Sequence, residues 1–315
     1  MVSDMKAIRF HQTGDLDVIV EDTVPVPQCG PTQVVIRTEL AGLNFIDLYY
    51  RTGLYPCELP RTLGEELGGK IVEVGLEVRD LQVGDRVVAL AAGAIAERVV
   101  VESKLVVKVP ETVDLRSATA VLLQGLTAVT LTQTAYAVQP GDWVLVHAAA
   151  GGVGLLLVQV VKALGGRVIG TTSTEKKAEL VRSVGAEHVL LYGEGHASAE
   201  ENAQAVLELT GGGGVQVVYD SVGQTTWDAN FTAVARLGTL VSFGQSSGLP
   251  AALPLARLSA KNVRVLRPSL FRYLTTREEV VHYANVLFGL LAANQVQVHV
   301  WREYLFAADP HPAVC

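Results

Sequence analysis

The chain has 315 residues, of which 49% are hydrophobic, 18% are charged and 30 are glycines. This length and composition suffice for two compact domains with sizeable cores, and they exclude a disordered or low-complexity protein. The formal net charge of −7 disfavours a nucleic-acid partner, because a polyanion is held by clustered Lys and Arg side chains.

The apolar runs and the cysteines together indicate the cellular compartment of the protein. No apolar run reaches the roughly 18 residues that a membrane-spanning helix needs, so we expect no contact with a membrane. Residues 1–6 lack the apolar region of a signal peptide. Cys29, Cys57 and Cys315 stand far apart and form no Cys-x-x-Cys pair, which favours a reducing compartment. We therefore expect a cytoplasmic protein.

The first third of the chain is rich in Val, Gly and Pro. It contains short alternating runs, for example at 33–38 and 69–75, and the Gly84-Asp85 pair predicts a turn between such runs. This texture predicts a small β-barrel-like structure with long loops.

From about Ala118, apolar strands alternate with helical patterns. The predicted strands lie at 143–147, 167–171, 188–192, 215–219, 239–243 and 263–266, and the helices between them at 152–164, 174–184, 199–209 and 226–235. Nearly continuous apolar strands that alternate with helices predict a parallel, doubly wound sheet in an α/β protein. A further helix is predicted from Thr275, with a threonine cap and acidic residues in its first turn.

The strongest local motif is Val144–Gly154, which reads VLVHAAAGGVG. A strand runs into a glycine turn, and a helix starts at once. That order lets backbone N–H groups and the positive end of the helix face a pyrophosphate. The motif is shorter than Gly-x-Gly-x-x-Gly, so a second interpretation stays open, in which the glycines only allow close packing of the helix on the sheet.

The next strand ends in three hydroxyl residues, 171–173, followed by Lys176 and Lys177. An NAD enzyme usually places Asp or Glu at this strand tip to bind the ribose 2′-hydroxyl. Glu175 is the only acid nearby, and we expect it to point along its own helix. Hydroxyls beside a cation suit a 2′-phosphate and predict NADPH; the alternative is an ordinary solvated lysine pair.

Several segments together resemble one known family. They are Asn-Phe-Ile-Asp at 44–47, Gly-Leu-Tyr-Pro at 53–56, Ala-Ala-Gly-Gly-Val-Gly at 149–154, Val-Val-Tyr-Asp-Ser-Val-Gly at 217–223, Ser-Phe-Gly at 242–244, Arg-Pro-Ser-Leu at 267–270 and Thr-Thr-Arg-Glu-Glu at 275–279. Over about residues 5–300 the chain resembles the zinc-independent quinone oxidoreductase and zeta-crystallin branch of the medium-chain dehydrogenase/reductase superfamily.

This resemblance implies the domain organisation and the activity. It implies a GroES-like β-rich catalytic domain at 1–123 and 269–315, and a Rossmann domain with a doubly wound parallel sheet at 124–268. It also implies reduction of a small quinone with NADPH, and a homodimer or homotetramer. One rival is a 2-alkenal or enone reductase on the same scaffold. The other is a non-enzymatic, crystallin-like binder of NADPH or RNA, and the net charge weighs against RNA.

The resemblance also implies catalysis without a metal. Zinc alcohol dehydrogenases of the superfamily carry Cys where Asn44 stands, His where Glu65 stands, and a four-cysteine lobe after the Gly84-Asp85 turn. Glu65 and Glu66 alone provide no convergent ligand set for zinc.

By position, the resemblance places Asn44, Asp47, Tyr49 and Tyr55 beside the nicotinamide. Asn44 would hold the carboxamide or a substrate oxygen, while the tyrosines would donate to a developing oxyanion or stack on a flat ring. The alternatives are that the tyrosines are aromatic core and that Asp47 only fixes its loop. The implied cofactor positions are Thr127, Gly151, Gly152, Val153, Gly154, Lys177, Tyr192, Ser221, Phe243 and Gly244. The hydroxyl residues at the strand tip add Ser173 to the predicted cofactor site.

The C-terminus departs from the family pattern. Relatives end with an amphipathic helix and an apolar strand that carries an Arg for the 2′-phosphate, whereas residues 303–315 contain two prolines and no such strand. We expect this change to affect closure of the catalytic domain and affinity for NADPH.

Overall fold

The computed structural model describes residues 4–306. These residues form two compact units. The first contains the described chain up to Leu123, Thr275–Ala292 and the described residues from Val298 onward; the second contains Gln124–Leu274 and Ala293–Gln297.

Fourteen β-strands are present within residues 4–306. They are β1 Asp4–Phe10, β2 Ile19–Pro25, β3 Gln33–Gly42, β4 Arg61–Thr62, β5 Glu66–Val74, β6 Arg86–Leu90, β7 Arg98–Glu102, β8 Val106–Lys108, β9 Trp143–Val146, β10 Arg167–Thr172, β11 His188–Leu191, β12 Val215–Asp220, β13 Val234–Ser242 and β14 Arg264–Leu266.

Nine α-helices accompany these strands in the part of the chain that the structure describes. They are α1 Phe45–Arg51, α2 Leu115–Thr130, α3 Gly152–Ala163, α4 Glu175–Ser183, α5 Ala199–Leu209, α6 Trp227–Ala233, α7 Ala256–Ser259, α8 Leu270–Tyr273 and α9 Arg277–Ala292. A single π-helical turn, Leu131–Ala135, follows α2.

The first unit is built on antiparallel strands, in agreement with the β-rich structure predicted for the first third of the chain. One sheet has the order β7-β3-β5-β6-β8, and a smaller sheet has the order β2-β1-β4. Its core consists of inward-facing apolar residues such as Val34, Ile36 and Leu67, each fully buried. Gly84 has φ +92° in the turn before β6, and the backbone N–H of Asp85 closes that turn on Gln82. The predicted Gly84-Asp85 turn is therefore confirmed.

The second unit is a parallel sheet with the strand order β11-β10-β9-β12-β13-β14. This is the doubly wound order of a dinucleotide-binding domain, in which the chain reverses direction beside the first strand. Buried Leu145, Ile169, Val218 and Leu240 lie in its core. The carboxyl ends of the parallel strands meet at one edge of the sheet, and the loops after them form a common surface.

The predicted elements of this unit are confirmed in type and order, with one misplaced boundary. The helix predicted at 226–235 ends at Ala233, and the strand predicted from Thr239 already begins at Val234. Val234 is buried and pairs with Val215, and Leu237, at φ +65°, lies within the strand. Tertiary burial therefore overrides the helical pattern at this point.

The acidic start of α9 agrees with its predicted cap. The backbone N–H of Glu279 donates to Thr276 Oγ1 at 3.2 Å, and the Glu279 carboxylate accepts from the backbone N–H groups of Thr275 and Thr276.

Beyond α9, residues 293–306 form turns and irregular structure without a strand. The rest of the unusual ending, including Pro310, Pro312 and Cys315, lies outside the described residues. Among residues 4–306, no helix is both long and apolar enough to cross a membrane.

Candidate cofactor and substrate sites

Asn44 directly precedes α1, and Asp47 fixes the backbone around it. The backbone N–H of Asn44 donates to Asp47 Oδ2 at 2.9 Å, and that of Gly64 donates to Asp47 Oδ1 at 2.8 Å. Asp47 is buried, and burial raises the pKa of its carboxyl. These contacts suit the loop-fixing role that the sequence leaves open for Asp47.

A buried glutamate holds the side chain of Asn44. Asn44 Nδ2 donates to Glu66 Oε1 at 2.8 Å, and the backbone N–H of Leu123 donates to Glu66 Oε2 at 2.6 Å. Glu66 is 1% exposed, and burial raises the pKa of its carboxyl to about 7. Sequence reasoning missed this contact, because Glu66 lies 22 residues from Asn44 and 57 from Leu123.

The predicted tyrosines pack against each other. The ring centroids of Tyr49 and Tyr55 are 5.0 Å apart, and the backbone N–H of Tyr55 donates to the carbonyl of Tyr49 at 3.0 Å. The ring centroids of Tyr50 and Tyr55 are 6.0 Å apart, and the Cζ atom of Arg61 lies 3.8 Å from the centroid of the Tyr50 ring. Tyr49 and Tyr55 are half-buried, so each ring combines packing with an accessible face.

In the second unit, the glycines of the turn between β9 and α3 have two different roles. Gly151 and Gly152 are exposed at the start of α3. The N–H of Gly151 donates to the Ala148 carbonyl at 2.9 Å, so the N–H groups that can meet a phosphate are those of the helical turn that follows it. Gly154 is buried, and a Cβ there would lie 2.5 Å from the carbonyl oxygen of Ala148. Gly154 therefore allows close packing of helix on strand, and Val153 between them is half-buried.

At the tip of β10, the predicted row of three hydroxyls is wrong for two of its members. Thr171 and Thr172 are each 2% exposed, because both side chains lie within the sheet edge rather than on the surface. Ser173 is half-buried, and Lys177 Nζ lies 3.5 Å from its Oγ. The hydroxyl and cation available to a phosphate at this tip are those of Ser173 and Lys177.

The acid beside this pair is turned away from it. Glu175 Oε1 accepts from Arg182 Nη1 at 2.5 Å along the exposed face of α4. This confirms the expected orientation of Glu175 and leaves the Ser173–Lys177 surface without a carboxylate from that residue.

The remaining predicted cofactor residues follow other strands of the same sheet. Tyr192 follows β11, Ser221 follows β12, and Phe243 and Gly244 follow β13. A Cβ at Gly244 would lie 2.7 Å from the carbonyl oxygen of Ser221, so these two loops are in close contact. Thr127 lies on α2. The topology thus brings the post-strand residues to one sheet edge.

Three buried polar residues at that edge were not singled out from the sequence. His147 Nδ1 lies 3.0 Å from Thr171 Oγ1, and its Nε2 lies 2.8 Å from Asn230 Oδ1. Asn230 Nδ2 donates to Asp220 Oδ2 at 2.7 Å, and Thr226 Oγ1 donates to the same oxygen. The network joins the ends of β9, β10 and β12. The sequence feature that could have indicated this network is a polar residue at the end of each of these strands.

In the described parts of both units, a metal site would need ligand side chains at the spacing that a metal ion requires. Within residues 4–306, no group of three or more His, Cys, Asp and Glu side chains is placed to hold a metal ion. Glu65 is instead paired with Arg61 at 2.5 Å, and burial raises the pKa of the Glu65 carboxyl. Metal independence stays a prediction.

The fold and the residues at the edge of the parallel sheet together define the class of protein. A doubly wound sheet with a glycine turn after its first strand, in a chain that also forms a β-rich unit, is the architecture of a dinucleotide-dependent oxidoreductase. Residues 30–111 match the alcohol dehydrogenase GroES-like domain, and residues 152–284 match the zinc-binding dehydrogenase family.

Similar proteins and solved structures indicate which branch of this class the chain resembles. A protein of Schizosaccharomyces pombe described as a probable quinone oxidoreductase is 41% identical, and the match covers 98% of this chain and 92% of that protein. The structure of Escherichia coli quinone oxidoreductase complexed with NADPH is 37% identical, with a TM-score of 0.89, covering 94% of this chain and 90% of the other. A mycobacterial structure complexed with NADPH is 44% identical, with a TM-score of 0.90, covering 94% and 91%.

The chain therefore belongs to the quinone oxidoreductase branch of the medium-chain dehydrogenase/reductase superfamily. The predicted family and the predicted fold class, a GroES-like domain with a Rossmann domain, are confirmed.

Proposed function

We propose that the protein is an NADPH-dependent quinone reductase that works without a metal ion. The observation that carries the cofactor choice is the tip of β10, where Lys177 Nζ lies 3.5 Å from Ser173 Oγ and Glu175 is turned to Arg182. A hydroxyl and a cation recognise a 2′-phosphate, whereas an acid at this tip would recognise a 2′-hydroxyl. The quinone is supported by relatives that are quinone oxidoreductases.

The residues at the sheet edge fit a dinucleotide. The exposed start of α3 at Gly151 and Gly152, with the N–H groups of the helical turn that follows Gly151, would hold the pyrophosphate. Ser173 and Lys177 would hold the 2′-phosphate. Further contacts along the same edge would come from Thr127, Val153, Tyr192, Ser221, Phe243 and Gly244. NADPH, when bound, supplies the hydride for the reduction.

On the first unit, the side chains of α1 and the following loop would act on the quinone. Asn44 would hydrogen-bond a quinone oxygen or the nicotinamide carboxamide. Tyr55 would stack on the flat quinone ring, with Tyr49 packed against it at 5.0 Å. Asp47 would act as a positioning residue, since both of its oxygens accept from backbone N–H groups.

Three further properties belong to the proposal. The active form is a homodimer or homotetramer. It works in the cytoplasm, in keeping with Cys29 and Cys57, which are both free thiols in the described chain. It needs no zinc, so quinone turnover should survive prolonged chelation.

A steady-state panel tests the substrate class. NADPH oxidation is measured with small para-quinones and with 2-alkenals and other enones, each over a range of concentrations. We expect kcat/KM for the best quinone to exceed that for the best enone by at least about tenfold, a difference of about 1.4 kcal/mol. A preference for enones would replace the quinone by the 2-alkenal as the substrate.

A further inference from the structure

The Asp220 carboxylate joins α6 to the loop that follows β12. Asp220 is the last residue of β12, and its side chain is buried. Its Oδ2 accepts from the Thr226 hydroxyl at 2.9 Å and from Asn230 Nδ2 at 2.7 Å. Its Oδ1 accepts from the backbone N–H groups of Val222 at 2.7 Å and Gly223 at 3.1 Å. One oxygen is thus anchored from the side of α6, and the other holds the loop.

The main chain of the same residue fixes a second loop. The Asp220 carbonyl oxygen accepts from the backbone N–H groups of Phe243 at 2.8 Å and Gly244 at 3.3 Å, which follow β13. We call residues 221–225 the β12 loop and residues 243–248 the β13 loop. Asp220 therefore binds the start of both loops, one with its side chain and the other with its carbonyl group.

The two loops also bind each other. The backbone N–H of Ser246 donates to the Ser221 carbonyl at 3.1 Å, and that of Ser247 donates to the Val222 carbonyl at 2.9 Å. A shift of the β12 loop would therefore move the acceptors of the β13 loop. The two loops share one conformation, and the buried carboxylate lies at its base.

The strand order assigns these loops to one half of a dinucleotide. In a doubly wound sheet the two nucleotides lie on opposite sides of the point where the strand order reverses. Ser173 and Lys177, which would hold the 2′-phosphate of the adenosine half, follow β10 on one side of β9. The strands β12 and β13 lie on the other side of β9. The β12 and β13 loops would therefore hold the nicotinamide half.

We propose that Asp220 is a positioning residue that shapes the β12 and β13 loops for the nicotinamide half of NADPH and leaves the adenosine half unaffected. This inference rests on the proposed use of NADPH. Without the carboxylate, the N–H groups of Val222 and Gly223 lose their acceptor, and the nicotinamide half must order the loops when it binds. That ordering lowers the affinity for NADPH. The tip of β10 lies two strands from β12 and keeps its own contacts.

Two ligands test whether Asp220 serves one half of the cofactor. NADPH carries both halves, and adenosine 2′,5′-bisphosphate carries the adenosine half with its 2′-phosphate alone. Dissociation constants are measured by calorimetry on the purified full chain. We expect Asp220→Ala to weaken NADPH by about tenfold, because a charge-assisted contact that orders the site is lost. The bisphosphate should change by less than about twofold. Equal losses for both ligands, or unchanged binding of NADPH, would overturn the proposal.

Two further variants separate positioning from stability. Asp220→Asn keeps one oxygen, which must face the N–H groups of Val222 and Gly223 because two donors cannot face each other. It should bind NADPH within about threefold of the wild type. Asn230→Ala weakens the same network but removes neither of those backbone contacts, so both dissociation constants should stay within about twofold. A loss in Asp220→Asn as large as in Asp220→Ala, or a selective loss of NADPH in Asn230→Ala, would contradict the proposal.

Hydrogen exchange of the wild type tests the same claim without a variant. Backbone exchange is followed by mass spectrometry in the free protein, with saturating NADPH and with saturating adenosine 2′,5′-bisphosphate. We expect NADPH to slow exchange in both loops, and the bisphosphate to slow it only at residues 173–177. Equal protection of the loops by the two ligands, or protection of one loop alone by NADPH, would overturn the proposal. Absence of binding of both ligands to the wild type would instead contradict the proposed cofactor.

Discussion

His147 Nε2 lies 2.8 Å from Asn230 Oδ1, deep in the carboxyl edge of the parallel sheet. Asn230 gives its NH2 group to the Asp220 carboxylate, so its oxygen must face the histidine. His147 therefore carries its proton on Nε2. In this tautomer Nδ1 accepts from the hydroxyl of Thr171. The Asp220 carboxylate thus fixes the direction of the side-chain hydrogen bonds that run through Asn230 and His147 to Thr171.

Asn230→Ala should be strongly destabilising. The change leaves the Nε2–H of His147 without its partner in a buried site and removes one of the two donors to Asp220 Oδ2, so the free energy of unfolding should fall by about 2–4 kcal/mol. Urea unfolding of the wild type and the variant measures this loss of free energy. Thr232→Ala on the same helix removes an exposed bond to Glu200 and should cost less than about 1 kcal/mol. Equal losses for the two variants would show that the network adds no stability.

The raised pKa of Glu66 predicts a pH-dependent stability. The ionised form is less favourable in the folded protein than in the unfolded chain, so the contribution of Glu66 is complete below pH 4.5 and is lost as pH rises through about 7. The free energy of unfolding of the wild type, relative to Glu66→Gln, should fall by about 3 kcal/mol over this range. Urea unfolding of both proteins at several pH values measures the difference. A difference that is constant with pH would contradict the raised pKa.

The choice of cofactor should depend on Lys177 and not on its neighbour. Lys177→Glu places a negative charge beside Ser173, so it should weaken NADPH by about ten- to a hundredfold and change NADH much less. Dissociation constants for both cofactors, from fluorescence titration, give the comparison. Lys176→Glu changes the net charge equally and should have a small effect on both. Equal losses of NADPH and NADH in Lys177→Glu would make Lys177 a plain surface residue.

Tyr55 should act through its ring. If the ring stacks on the quinone, Tyr55→Phe keeps kcat and KM within about twofold, and Tyr55→Ala raises KM for the quinone several-fold. Steady-state kinetics with quinone, together with the melting temperature, separate the cases. A fall in kcat in Tyr55→Phe would identify the hydroxyl as a donor to developing charge. A lower melting temperature in Tyr55→Ala, with quinone and enone turnover equally impaired, would place the ring in the core beside Tyr49.

The fold of the second unit could be predicted from the sequence because the patterns that indicate it are local. The turn 148–154 and the apolar strands each lie within one short window. The contacts of the site are not local. Glu66 meets Asn44 across 22 residues, and His147 meets Asn230 across 83, so neither pair leaves a periodic signal. The chemistry of Thr171 alone predicts a position on the surface, whereas the structure buries this residue against His147.

The central claim, that this fold reduces a quinone with NADPH, is tested by measuring NADPH binding and NADPH oxidation on the same sample of purified wild-type protein. Binding is followed by fluorescence, and oxidation at 340 nm with and without a small para-quinone. We expect saturable binding of NADPH, tighter than that of NADH, with oxidation that depends on quinone and continues over many turnovers. Saturable binding without quinone-dependent oxidation would make the protein a non-catalytic binder and contradict the claim.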